Sequence, residues 1–146
     1  MVNWNNDGEE IRKLTGPNGK LLSRPQNTPC YFRESITWSK ISSGSIAFRY
    51  KPAGHIFDVA GTSVFAASDD LEYLQGAVNS SIINKVAQML SPTLNFEVGQ
   101  IATYPIVKSD ELKGQVCSTV RILRSLSKAD WDSQETSWDF KRNPLA

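Results

Sequence analysis

The rhythm of apolar and polar positions changes twice along this chain. Residues 1–30 show no period; they are polar, and the clusters NDG, GPNG and SRPQNTP read as turns and loop. From Tyr31 the texture becomes β. YFRESITWSKI is aromatic and β-branched, and SIAFRY alternates, with Ile46, Phe48 and Tyr50 on one face and Ser45, Ala47 and Arg49 on the other. Lys51-Pro-Ala-Gly54 is a turn, and HIFDVAG and TSVFAA read as two more strands, punctuated by Gly44, Gly54 and Gly61. Three to five short strands are expected between residues 31 and 66.

A helical period follows. Asp69-Asp70 put negative charge and a capping side chain at a helix start. Leu71, Leu74, Val78, Ile82, Val86 and Leu90 then recur every three or four residues, which predicts one amphipathic helix over 69–90. Pro92 forbids its simple continuation. A second helix is expected over 110–126 from Ser109-Asp110-Glu111, with Leu112, Val116, Val120, Leu123 and Leu126 as its stripe and Gly114 weakening its first turn. The tail is polar and carries Trp131 and Trp138. The fold class is therefore α+β: a β-rich body followed by two long amphipathic helices. Three parts are expected: an entry segment over 1–30, a body over 31–107 that includes the first helix, and the second helix with its tail over 108–146. There is no internal repeat.

A chain of 146 residues, 40% hydrophobic and 21% charged, suits one globular domain with a real core. No apolar run approaches the ~18 residues of a membrane span, and the first ten residues lack the basic and apolar regions of a secretory signal. Two distant cysteines, Cys30 and Cys117, argue against a disulfide framework and make a reducing cytoplasm the expected compartment. Net charge is +1, but residues 11–66 hold eight Lys/Arg against Glu34 and Asp58, a net +6. Residues 67–98 hold Lys85 against Asp69, Asp70, Glu72 and Glu97, a net −3. Such asymmetry points weakly to a polyanion-facing first half, against the plainer reading of uneven surface charge.

No constellation for chemistry emerges. His55 is the sole histidine and has no second His or Cys at ligand spacing. Cys117 lies near the apolar stripe of the second helix, as a buried small hydrophobe would. There is no G-x-S-x-G elbow, no G-x-G-x-x-G and no G-x-x-x-x-G-K-[ST]. Asp130, Asp132, Glu135 and Asp139 cluster in the polar tail and read as solvated surface. A standalone hydrolase is thereby disfavoured, and no catalytic, cofactor-binding or metal-ligating residue is proposed.

Several idiosyncratic motifs nevertheless occur in a fixed order: VNWNNDGEEI, SRPQN, ITWSKISSGSIAFRYKPAGHIFDVAGTSVF, LNFEVGQIATYPI and DWDSQETSWDF. Over nearly the whole chain they resemble the C-terminal target-recognition region of the large adenine-specific DNA methyltransferases of BREX-type phage-exclusion systems, the PglX-like proteins. The resemblance implies an excised piece of a larger S-adenosylmethionine-dependent enzyme, with Met1 as an expression start and a stop soon after Lys141-Arg142. The N-P-P-Y-type motif and glycine-rich cofactor loop of that enzyme are not in these residues, so the piece is expected to bind no cofactor. By the same resemblance, Asn95 to Val107 is an extended segment between the helices, laying Phe96, Val98, Ile101, Tyr104 and Ile106 across the β-region. Pro105 fixes its exit.

The function implied is recognition of double-stranded DNA, as part of a restriction-modification-like system. The candidate contacts are Arg33, Lys40, Ser42, Ser43, Arg49 and Lys51, which share one segment scarcely diluted by acids. Arg binds guanine in two-pronged fashion, whereas Lys and Ser chiefly position the phosphate backbone. Arg49 and Lys51 are expected together on the outward face of a strand, beside a protruding turn. Trp38 reads as a core residue, with a wedge near a flipped base as the alternative. The competing function is a protein-interaction module, in which Trp131, Trp138 and Phe140 dock other phage-defence proteins. The missing catalytic domain is a partner in either reading.

Overall fold

The computed structural model describes residues 2–91 and 93–143. The chain divides after Tyr31 into two units. The first, expected as turns and loop, contains a helix, α1 (Asn5–Lys13). Asn6, Asp7 and Gly8 all have positive φ, so α1 opens with a left-handed turn before becoming right-handed. Asn, Asp and Gly are the residues that adopt this conformation most cheaply. At Gly8 a Cβ would also sit 2.9 Å from the Trp4 ring. The NDG signal was read as a turn, and the turn is real; the helix beyond it is short and weakly apolar.

The second unit is α+β, in keeping with the pattern of the sequence. Its sheet has three antiparallel strands in the order β2-β1-β3: β1 (Ser35–Thr37), β2 (Arg49–Lys51) and β3 (Ser63–Val64). Ile36 stands opposite Tyr50 on one side and Val64 on the other. These three face the core, which also holds Trp38, Ile46, Phe48 and Leu71. Trp38 is 2% exposed, and its Nε1 donates to the Phe96 carbonyl at 3.1 Å. Trp38 is therefore core, and the wedge alternative falls.

The first helix is two helices, α2 (Ser68–Val78) and α3 (Ser81–Leu90). The apolar period runs through the break, but Asn79 and Ser80 take the backbone elsewhere. The Asn79 carboxamide accepts from Phe48 N at 3.0 Å and donates to Phe48 O at 2.8 Å, behaving as an extra strand partner. Ser80 caps α3, its Oγ accepting from Ile83 N. The buried face then shifts by one residue: Ile83 and Ala87 go inward, whereas Ile82 and Leu90 are exposed. Pro92, expected to end this helix, lies outside the described residues.

The segment after α3 is only partly extended. Ser42 N donates to Leu94 O and Phe96 N to Lys40 O, so 94–96 runs antiparallel beside 40–42. One helical turn, α4 (Val98–Ile101), interrupts it, closed by a reciprocal capping box between Glu97 and Gln100. Phe96, Ile101 and Tyr104 are buried as expected, but Val98 and Ile106 are not. Tyr73 secures the exit: its hydroxyl donates to Val107 O at 2.9 Å and accepts from Ser109 N at 3.1 Å.

The last helix, α5 (Asp110–Asp132), runs beyond the expected 126 and is capped by Ser109. It packs on α2 through Cys117 and Val120, while Leu112, Leu123 and Leu126 of the expected stripe are exposed. Gly76 permits this close packing, since a Cβ there would lie 2.8 Å from Val116 Cγ1 and 3.0 Å from Val120 Cγ2.

Candidate nucleic-acid interface

Period two in a strand sends neighbouring side chains to opposite faces. With Ile36, Tyr50 and Val64 turned to the core, Ser35, Thr37, Arg49, Lys51 and Ser63 occupy the outer face of the sheet. Lys51 Nζ donates to Ser63 Oγ at 2.8 Å, reaching across the central strand from β2 to β3. Beside it lies an aromatic pair, Phe57 and Phe65, with ring centroids 5.3 Å apart. Lys51 Nζ is 5.2 Å from the Phe57 centroid, and the Arg33 guanidinium is 5.7 Å from that of Phe65. Two cations thus flank two rings, each within cation–π range.

The electrostatics of this face are uneven. Burial pushes the Lys51 pKa below the ordinary lysine value, with a smaller opposing pull from Asp58. Lys51 is half-buried and held against the sheet, so it does not project from a turn as the sequence suggested. Arg49 and Arg33 are exposed, and Arg49 has no ion-pair partner among the described residues. Ser35 is fully buried, and its Oγ has no hydrogen-bond partner among the described residues.

The other candidates lie apart from this group. Lys40 Nζ is 3.0 Å from Glu97 Oε1, and its backbone pairs with the 94–96 segment. Ser42 uses its Oγ to accept from Gly44 N, and Ser43 is exposed. Arg33, Arg49 and Lys51 therefore share the sheet, whereas Lys40, Ser42 and Ser43 share the adjoining loop. Phe57, Phe65 and Ser63 were missed, although period two from Val64 already placed Ser63 and Phe65 on the outer side.

The acidic stretch is turned elsewhere. Glu72 on α2 receives Arg121 Nε at 3.0 Å, with a second nitrogen–oxygen approach of 2.7 Å. Asp70 accepts from Lys113 at 2.7 Å, which holds its carboxyl below the usual range. Arg124, also on α5, lies 3.7 Å from the Tyr50 ring centroid and donates to Gln75. Of the remaining candidates, His55 approaches Pro52 O through Nδ1 and Cys117 is buried with its Sγ near Asp69 O. Asp132 and Asp139 both accept from Lys128. Among the described residues no cluster of His, Cys, Asp and Glu is placed to hold a metal. No helix among them is long and apolar enough to cross a membrane.

With this architecture in view, the class of protein that the chain resembles is clear: the adenine-specific methyltransferases. It is 34% identical over 148 residues to the adenine-specific methyltransferase BrxX of Escherichia coli O9:H4 (strain HS) and 38% identical over 147 residues to the adenine-specific methyltransferase PglX of Lacticaseibacillus casei (strain Zhang). Both alignments take in 99% of this chain but only 11% and 12% of the relatives' lengths. No family model matches the sequence. The PglX-like resemblance carried by the motifs thus extends from end to end of this chain and over about a tenth of the relatives.

S-adenosylmethionine does not suit the apolar hollow of the second unit. Between the sheet and α2 lies a cavity of about 240 Å³, lined by apolar side chains and by Ser63 and Tyr104. No carboxylate lines it to meet ribose hydroxyls or an α-amino group.

Proposed function

We propose that this chain is a DNA target-recognition module of a site-specific adenine-N6 DNA methyltransferase, acting in phage defence beside a catalytic part that binds S-adenosylmethionine. The observation that carries this reading is the outer sheet face, where Arg33 and Lys51 flank Phe57 and Phe65 with Arg49 exposed nearby, while Glu72 and Asp70 are engaged by α5. Arg49 is the base reader of this proposal, and Arg33 and Lys51 its backbone contacts. Lys40, Ser42 and Ser43 contribute phosphate contacts from the adjoining loop. The similarity to proteins named adenine-specific methyltransferases supplies the reaction class.

The test exchanges residues 31–66 of the full-length enzyme for those of a relative and sequences the methylated sites. A changed site with methylation retained is the expected result; an unchanged site removes the sheet from target choice. In parallel, duplex binding by this chain is measured across a salt series, where several phosphate contacts give a steep dependence. A second reading, docking onto other defence proteins, draws support from Trp131 and Trp138, both exposed beside the Lys128–Asp132–Asp139 cluster. It predicts an association that is nearly indifferent to salt.

A further inference from the structure

Where α5 ends, the chain turns back toward its own last turns. Lys128 Nζ clasps the two together, donating to Asp132 Oδ2 on the helix at 2.6 Å and to Asp139 Oδ2 beyond it at 2.7 Å. Ser137 tightens the clasp, its hydroxyl donating to Asp132 Oδ1 and accepting from Asp139 N. The turn shapes an open hollow of about 360 Å³, lined by Lys128, Asp132, Ser137 and Asp139 and by two indoles, Trp131 and Trp138. Its aromatic groups are within reach from solvent: Trp131 is half-exposed and Trp138 is fully exposed.

Tryptophan is seldom left in water, and at interfaces it is among the residues that anchor a partner. The charges beside it select which partner. Two carboxylates against one ammonium leave the walls of the hollow with one negative charge. Asp132 has both oxygens engaged, by Lys128 and by Ser137. Asp139 is two-thirds exposed and is held through Oδ2, so its Oδ1 is open to a donor among the described residues. An indole face attracts a cation, and a guanidinium, being planar and weakly hydrated, stacks there while its edge donates to a carboxylate. A nucleic-acid strand would bring its phosphates to this negative wall, so a stacked base is disfavoured. We propose that the hollow is a docking site for an arginine side chain of a partner protein, its guanidinium stacked on Trp138 and donating to Asp139 Oδ1. Only the identity of the protein that supplies the arginine rests on the docking reading of the proposed function. One surface ion pair also responds far less to salt than several phosphate contacts do.

The probes are N-acetylarginine amide and N-acetylcitrulline amide, which match in shape and differ in charge. Each is titrated into the isotope-labelled 146-residue chain with the tryptophan indole N–H signals observed by NMR. The expected result is saturable shifts at Trp131 and Trp138 with the arginine probe, while the buried Trp38 stays still and the citrulline probe binds at least roughly threefold more weakly. Trp138 is fully exposed, so Trp138→Ala removes its indole without disturbing the core. Read at Trp131, that variant should bind the arginine probe roughly threefold more weakly. Asp139→Asn should do the same and leave citrulline binding as it was. Deoxyadenosine monophosphate is the third probe and should move neither indole. The probes need no defence protein, so this site can fail while docking by other chemistry stands, and the reverse. Absence of saturable shifts, equal binding of the two amides, indifference to both substitutions, or nucleotide binding at these indoles would each overturn the proposal.

Discussion

Glu34 ties the sheet to α2: its carboxylate accepts from Ser68 Oγ and from Tyr50 Oη at 2.9 Å. The Ser68 hydroxyl first, then Tyr50, hold its pKa below the ordinary glutamate value. Folding thus favours the charged form, so this contribution is complete above about pH 4.3 and is lost as pH falls through the lower folded value. Glu34→Gln should therefore lower Tm at pH 7, with the gap to the parent narrowing once the pH drops below about 4. A gap that stays constant from neutral to acid pH would contradict the linkage. The two outer-face cations should also separate by experiment. Under the proposed function, Arg49→Ala should relax discrimination at one base pair by ~1–3 kcal/mol. Lys51→Met keeps the stem over Phe57 and should weaken all duplexes alike, with the salt slope reduced by about one. If cognate and scrambled duplexes respond identically to both substitutions, the division of roles is wrong.

At the scale of elements, glycines separate helix propensity from packing. Gly114 on α5 has open space where a Cβ would stand, so Gly114→Ala should add about 1 kcal/mol in urea unfolding. At Gly76 the same gain meets Val116 and Val120, neither of which has a flexible end to move aside. Overpacking of this kind costs ~1–3 kcal/mol, so Gly76→Ala should be neutral to destabilising. Equal stabilisation at both sites would show that α5 does not approach α2 so closely. Asn79 is the other control point, and Asn79→Ala should cost ~1–3 kcal/mol by leaving the Phe48 amide and carbonyl unpaired. The two long amphipathic stretches were legible because their periods are long and regular. The break at Asn79 was not, because its cause lies thirty-one residues away at Phe48. The capping box at Glu97 and Gln100, by contrast, is a local signal that a closer reading of EVGQ would have found.

Across the molecule, charge is sorted by pairing α2 with α5. Sequence windows gave a basic stretch followed by an acidic one, but they could not show which later helix would answer the acids. Arg121, Arg124 and Lys113 do so from beyond residue 110. Arg121→Ala should accordingly leave Tm nearly unchanged, this guanidinium being exposed to solvent. It should leave the salt slope of duplex binding unchanged, and a reduced slope would place α5 in the interface. The site was half legible for a similar reason. Alternation in SIAFRY assigned Arg49 its side of the strand, but the nearness of Phe57 and Phe65 to Lys51 and Arg33 depends on strands brought together by the fold. Family motifs identified the class of relative, and no local period encoded that.

The strands pair Ser35 with Lys51 and Thr37 with Arg49, while Ile36, between them, pairs with Tyr50 and Val64. Residues that hold the fold and residues that meet the outside are thus adjacent in sequence yet separated by the thickness of a sheet. Evolution can therefore rewrite Arg33, Arg49 and Ser63 without renegotiating Ile36, Tyr50 or Val64. Under the proposed function, a lineage under pressure to change its target would find exposed letters such as Arg49 interleaved with fixed ones, with buried Ser35 among the fixed.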